Sequence, residues 1–421
     1  MNNPPSRPES VTVNGRTYCF PKTPTVVVCI DGSEPGYIER TIEAGLAPNF
    51  AHLMAEGTSL LALSVIPSFT NPNNISIITG RPPAIHGIAG NYFYDPDSRQ
   101  EVMMNDAKFL RAPTILQAFH DAGAKIAIVT AKDKLRALLA HGLDFSSGRA
   151  IALSAERADR ATLAEHGIAG VLERAGMSLP DVYSVELSEF VMAAGVSLLA
   201  RERPNVMYLS TTDFVQHKAA PGSDMANAFY AMMDRYVGEF DRLGCVLALT
   251  ADHGMNDKHL PNGAPDVIYL QDLFDEWLGK GTARVILPIT DPYVHHHGGL
   301  GSFATVYVPE KVALAEVIGR LRTVEGIDLA LERADACARF ELPGDRIGDI
   351  VVTATMHKVL GSSRGRHDLS GLTEPLRSHG GLTEETVPMI LNRRVSLPKG
   401  RRLRNFDAFD VALNHVLQPS A

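Results

Sequence analysis

Cysteine is scarce in this 421-residue chain: Cys19, Cys29, Cys245 and Cys337 stand far apart, with no C-x-x-C pair. That spacing excludes a disulfide framework and a thiolate zinc site. Two of the four lie in apolar runs of buried-strand type, so reduced thiols in a reducing compartment are expected. Long apolar runs are lacking too. Residues 1–16 are polar and proline-containing, without the apolar stretch of a secretory signal, and no later run is long enough to span a bilayer. A cytoplasmic protein without a membrane partner is the expectation. Nor is there a basic block: 40 Lys and Arg face 48 Asp and Glu, for a formal charge of -8. Nucleic acid is therefore not an expected partner. Internal repeats and low-complexity tracts are also absent.

What is present is ordinary globular composition, 45% hydrophobic and 21% charged, in a chain long enough for one large domain and a smaller one. Residues 25–30 (TVVVCI) form a continuous β-branched run of the kind buried on both faces of a parallel sheet. Residues 125–130 (KIAIVT), 206–210 (VMYLS) and 245–250 (CVLALT) repeat the pattern, with helical periodicity over 112–122 and 224–243. Strands alternating with helices predict an α/β fold, a doubly wound and mostly parallel sheet. Between 261 and 370 the texture changes to shorter elements, at 304–308, 312–323, 338–342 and 350–354. This stretch is expected to be an inserted α+β cap on a core made of 20–260 and 371–418. The core resumes with a strand (VPMIL) inside 379–392 and closes with a helix over 405–416.

In such sheets ligands gather outside the carboxyl ends of the strands. Here those ends are polar: Asp31 follows the first run, Lys132 and Lys134 the second, Asp213 the third, and Asp252 with His253 the fourth. Asp213 and His217, four apart, share one helix face, as two zinc ligands would, and equally as an N-capping acid with a surface histidine would. Gly254, Gly32 and the pair Gly380-Gly381 after His379 allow sharp turns beside these residues. In Phe69-Thr70-Asn71-Pro72-Asn73-Asn74, Pro72 favours the first turn of a helix, placing Thr70 at its N-terminus, where backbone N–H groups meet an anion. Thr70 there is either a nucleophile or only an N-cap.

Taken in order, Asp31, Thr70, Asp213-x-x-x-His217, Asp252-His253 and His379 resemble the metal-ligand and nucleophile pattern of the alkaline phosphatase superfamily, particularly its nucleotide pyrophosphatase and phosphodiesterase-like branch. Thr79-Gly80-Arg81-Pro82 and His86-Gly87-Ile88 match that branch as well. The resemblance implies two Zn2+ per chain, with Mn2+ or Fe2+ as possible substitutes. One ion would be held by Asp213, His217 and His379, the other by Asp31, Asp252 and His253 together with the Thr70 oxygen. Three carboxylates against two dications leave the site net positive, suited to an anionic phosphoryl group. Paired ions roughly 3.5 to 4 Å apart stabilise both sides of an in-line displacement. Arg81 and His86 are expected to be structural hydrogen-bonding groups.

A sulfatase is excluded because Thr70-Asn71-Pro72-Asn73 lacks the cysteine or serine that becomes an aldehyde there. The runs Asp31-Gly32-Ser33-Glu34-Pro35, Gly90-Asn91-Tyr92-Phe93-Tyr94-Asp95 and Ala131-Lys132-Asp133-Lys134 resemble superfamily members acting on a carboxylated phosphonate. The implied reaction is hydrolysis of the carbon–phosphorus bond of phosphonoacetate to acetate and phosphate, with this small anionic phosphonate as partner. Carbon leaves phosphorus readily only if the carbanion is delocalised, which calls for positive charge beside the substrate carboxylate. Lys132 and Lys134, if extended, point the same way and are the expected carboxylate binders. Asn91 is the expected donor to a phosphoryl oxygen. Other readings stay open: a nucleotide or alkyl phosphodiesterase, a phosphoglycerate mutase, or a noncatalytic metal-binding module. Oligomeric state, a homodimer included, is undetermined. His295, His296 and His297 are read as a loop at the cleft rim.

Overall fold

The protein is described by a computed structural model covering residues 7–95, 97–289 and 299–417. The expected cleft-rim histidines, His295 to His297, lie outside the described residues. Seven strands make the central sheet: Thr25–Cys29 (β1), Thr58–Leu63 (β2), Ile126–Thr130 (β3), Ala150–Ser154 (β4), Val206–Ser210 (β5), Val246–Thr250 (β6) and Thr386–Leu391 (β7). Their spatial order is β2-β7-β6-β1-β5-β3-β4. The run from β6 to β4 is parallel throughout, and β7 is antiparallel to both its neighbours. The fold is therefore α/β with a mostly parallel sheet.

Side chains alternate across a strand, so a run that is apolar at every position must be covered on both faces. In β1, Val26 and Val28 enter one core and Val27 and Cys29 the other. The helices Pro35–Glu43, Val185–Glu202 and Asp224–Arg242 cover the first face with Ile38, Phe190 and Phe229. Thr70–Thr79, Ile115–Asp121, Asp133–Leu139 and Ala408–Asn414 cover the second with Ile75, Phe119, Leu138 and Phe409.

A second sheet of four antiparallel strands, ordered Arg284–Ile286, Phe303–Tyr307, Ile350–Ala354 and Ile327–Glu332, has its own apolar core. The helices Leu270–Leu278, Leu314–Leu321 and Arg333–Phe340 pack into that core through Phe274, Ile318 and Phe340. Phe69, the residue before Thr70, joins the same cluster and meets Phe303 edge to face, with centroids 6.3 Å apart. All four cysteines are free thiols. Among the described residues, no helix is long and apolar enough to cross a membrane.

Candidate active site

The strand ends and turns bring the sequence-predicted ligands together. Asp31 follows β1, and Gly32 then turns with φ +70; a Cβ there would lie 3.0 Å from Asp213 Cβ, so the turn needs glycine. The Gly32 N–H donates to Asp252 Oδ1 over 3.1 Å, linking the ends of β1 and β6. Asp213 is the N-cap of the one-turn helix Phe214–Lys218, which sets His217 Nε2 2.9 Å from Asp213 Oδ2. His379 precedes Gly380, whose φ of +120 and close approach to the Phe69 ring leave no room for a side chain. Thr70 opens the helix Thr70–Thr79, and its Oγ1 lies 3.4 Å from His253 Nε2.

Two groups of potential metal donors result: Asp213, His217 and His379, and Asp31, Asp213 and His253, each with its ligand atoms within 4.8 Å of one another. The first is the expected triad. The second joins Asp31 and His253 to Asp213; Asp252, which the sequence reading sets beside them, has its Oδ2 3.7 Å from His253 Nε2. Hydrogen bonds fix that carboxylate: Oδ1 accepts from the Gly32 and His253 amides, and Oδ2 from Asn74 Nδ2 at 3.3 Å.

The donor set fits divalent cations on three counts. Each imidazole turns Nδ1 to a backbone carbonyl: His217 to Arg377 at 2.9 Å, His253 to Gly254 at 2.9 Å and His379 to Ser68 at 2.7 Å. A proton on Nδ1 leaves Nε2 as the lone-pair donor, the tautomer a metal requires. Second, the buried Asp31 Oδ1 has no hydrogen-bond partner. Third, the charges need a counterweight. Burial, then the charges of Asp213 and Asp252, push the Asp31 carboxyl well above the usual range. Burial opposes ionisation of Asp213 as well, but His217, His379 and His253 outweigh it and hold that carboxyl well below its usual value. Burial, followed by His253 and His217, pushes the His379 imidazole well down. The rings of His253 and His379 stack 3.6 Å apart.

The site opens into a cleft of about 740 Å³ that Asp31, Thr70, Asn91, Lys132, Lys134 and His379 line together. Both lysines reach it, but not in the expected extended geometry. Lys132 is extended at φ -106 and ψ 139, whereas Lys134 already belongs to the helix Asp133–Leu139. The helix starts early because Glu156 Oε1 accepts the Asp133 N–H at 2.7 Å, while the Asp133 carboxylate binds Arg136 at 2.6 Å. Lys132 Nζ stands 5.3 Å from the centroid of the Tyr183 ring. Asn91 is fixed through its backbone to Pro288 and Met104, and its buried Oδ1 has no hydrogen-bond partner.

Several positioning residues had no signal in the linear pattern. Asn73 Oδ1 accepts from Val65 N–H and Asn405 Nδ2, and its Nδ2 donates to the carbonyls of Val65, Pro67 and Phe69, fixing the approach to Thr70. Asn405 also donates to the Ala251 carbonyl beside Asp252. Asn73 stood inside the quoted run, whereas Asn405 lies far along the chain at the start of the closing helical segment. His86 bonds Ser76 Oγ at 2.8 Å through Nε2, and burial, then Arg346, pushes it down to about 3. Arg81 donates to the Asn14 carbonyl. Both are structural groups.

A mostly parallel sheet whose strand ends gather imidazoles and carboxylates around a threonine at a helix start defines an alkaline phosphatase-type hydrolase. The chain belongs to the type I phosphodiesterase / nucleotide pyrophosphatase family, whose model matches residues 25–381. It is similar to the crystal structure of phosphonoacetate hydrolase from Sinorhizobium meliloti 1021 in complex with phosphonoformate. The TM-score is 0.94 and the identity 61%, over 96% of this chain and 98% of that one. The same hydrolase in complex with phosphonoacetate matches with a TM-score of 0.94 at 60% identity, again over 96% and 98% of the two chains. Ectonucleotide pyrophosphatase/phosphodiesterase family member 1 of Mus musculus is 27% identical over 295 residues, 66% of this chain and 29% of that protein. The chain thus matches under a third of that relative's length. Murine ectonucleotide pyrophosphatase/phosphodiesterase 5 shares the fold, with a TM-score of 0.61 and 18% identity over 92% of this chain and 93% of that one.

Proposed function

We propose that the protein hydrolyses phosphonoacetate to acetate and phosphate, with Thr70 as nucleophile. The observation that carries this reading is that Thr70, the two donor groups, Asn91, Lys132 and Lys134 meet at one cleft. The match to a phosphonoacetate hydrolase over nearly the full length of both chains supports it. Asp213, His217 and His379 would hold one ion, and Asp31, Asp252 and His253 the other, with Asp213 reaching toward both. Two divalent cations, zinc by the donor chemistry, would make the Thr70 hydroxyl acidic and offset the charge of the phosphoryl oxygens.

The remaining work falls to the chain's own groups. Thr70 Oγ1 gives its proton to solvent and attacks phosphorus, and the electron pair of the carbon–phosphorus bond passes to the methylene carbon and on into the carboxylate as an enolate. Lys132 and Lys134 stabilise that growing charge at the carboxylate end. A half-turn of the Asn91 amide exchanges its orphaned oxygen for the Nδ2 donor, which then meets a phosphoryl oxygen. The carbon takes a proton from water to give acetate, and a second water cleaves the Thr70 phosphoester. Residues 261–370 are read as a cap, since Phe303 and Phe69 couple their core to the nucleophile loop. Four free thiols fit a cytoplasmic setting.

Purified protein loaded with zinc should release equimolar acetate and phosphate from phosphonoacetate; absence of both products would end this reading. A second reading, a nucleotide or alkyl phosphodiesterase, is favoured by the size of the cleft and by its apolar side of Leu135, Val182, Tyr183 and Phe214, more room than phosphonoacetate needs. Faster turnover of an aryl phosphodiester than of phosphonoacetate would select it.

A further inference from the structure

Lys258 and Glu384 form an ion pair 2.9 Å long in which both side chains have 0% exposure, and neither reaches the cleft. Removing two charges from water is costly, and apolar residues of similar size often replace such a pair without loss of stability. Burial alone therefore gives the fold little reason for it. What an apolar pair could not do is accept hydrogen bonds. Glu384 Oε2 accepts the Gly381 N–H at 2.9 Å, two residues after His379, and the Glu384 carbonyl accepts the Gly254 N–H at 2.8 Å, one residue after His253. Gly381 in turn accepts from Ser68 Oγ at 2.8 Å, and the Ser68 carbonyl takes His379 Nδ1–H. The Gly254 bond uses a backbone carbonyl that any residue would supply; the Glu384 side chain itself ties the His379 loop, and through Ser68 the segment leading into Thr70, to Asn256 and Lys258 on the segment that follows His253. Lys258 neutralises it and ties it to the Met356 carbonyl at 2.6 Å, and Asn256 Nδ2 donates to the same Oε1 that pairs with the lysine.

We propose that the Lys258–Glu384 pair is a positioning device: it holds the His253 and His379 loops at their metal-binding separation before any ion arrives. This rests on the metal-site reading above. The test compares wild type with the double variant Lys258→Met/Glu384→Met and with Glu384→Gln, by thermal melting and by zinc affinity in competition with a chelator. The double variant should melt near wild type, because no charge is left unpaired, yet bind zinc about 10- to 100-fold more weakly. A folded double variant with wild-type zinc affinity overturns the proposal, as does a folded Glu384→Gln, which keeps one acceptor oxygen for the Gly381 N–H, that binds zinc more weakly than the double variant. Should neither variant fold, hydrogen exchange on metal-free wild type decides: protection of the 379–385 segment supports a preformed loop, and exchange as fast as an exposed loop refutes it. A wild-type chain that binds no zinc would overturn the metal-site reading itself, and this proposal with it.

Discussion

Thr70 is the nucleophile of the proposed reaction, yet nothing about it as a side chain is unusual. Its position supplies the reactivity: first residue of a helix, 3.4 Å from His253 Nε2, on a loop fixed by Asn73. Thr70→Ala should lower kcat by about 10⁴-fold or more while leaving zinc content unchanged, as paired turnover and elemental analysis would show. Glu34 illustrates a residue whose environment opposes its charge. Burial, only partly offset by Arg377, raises its pKa from 4.5 to about 7. The folded state therefore holds the proton more tightly than the unfolded state, so its stabilising contribution is complete below pH 4.5 and is lost as pH rises to about 7. Glu34→Gln, permanently neutral, should escape that loss. Urea midpoints at pH about 5 and about 8 should show wild type losing about 1–3 kcal/mol relative to the variant. Equal losses in both proteins would mean that Glu34 ionises freely in the fold.

At the scale of elements, the junction between β3 and the helix Asp133–Leu139 sets Lys132 and Lys134 at the cleft by a turn and a helix start rather than by an extended strand. Lys132→Ala or Lys134→Ala should each lower kcat/KM for phosphonoacetate by about 10- to 100-fold, the weight of a charge-assisted contact, and leave an aryl phosphodiester nearly unaffected. Equal losses on both substrates would assign the lysines to the phosphoryl end. The elements that could be read in the sequence are those whose environment leaves a one-dimensional mark. β1, β3, β5 and β6 are buried on both faces and show as unbroken apolar runs. β2 is an edge strand with exposed alternate residues, and β4, though buried throughout, alternates alanine, a weak strand former, with Ile151 and Leu153, so both carry a fainter mark. Asp31, Asp252 and His253 were legible because they follow strands closely, Asp213 and His217 by their helical spacing, and His379 by its place in the family pattern. Asn405 and Glu384 were not, since their roles arise only from contacts across the fold.

The whole molecule brings together groups more than three hundred residues apart along the chain, from Asp31 to His379, and pays for their mutual repulsion with the packing of two cores on either face of the sheet. In the proposed reading, the buried Asp31 and Asp252, the half-buried Asp213 and three imidazoles at one rim make a site suited to bound cations. Activity should therefore depend on filling both donor groups. Metal-free protein titrated with zinc, with phosphate release from phosphonoacetate followed at each addition, tests this most directly. The rate should climb until two equivalents per chain are present and then level off. Full activity at one equivalent, or undiminished activity with none, would contradict the account.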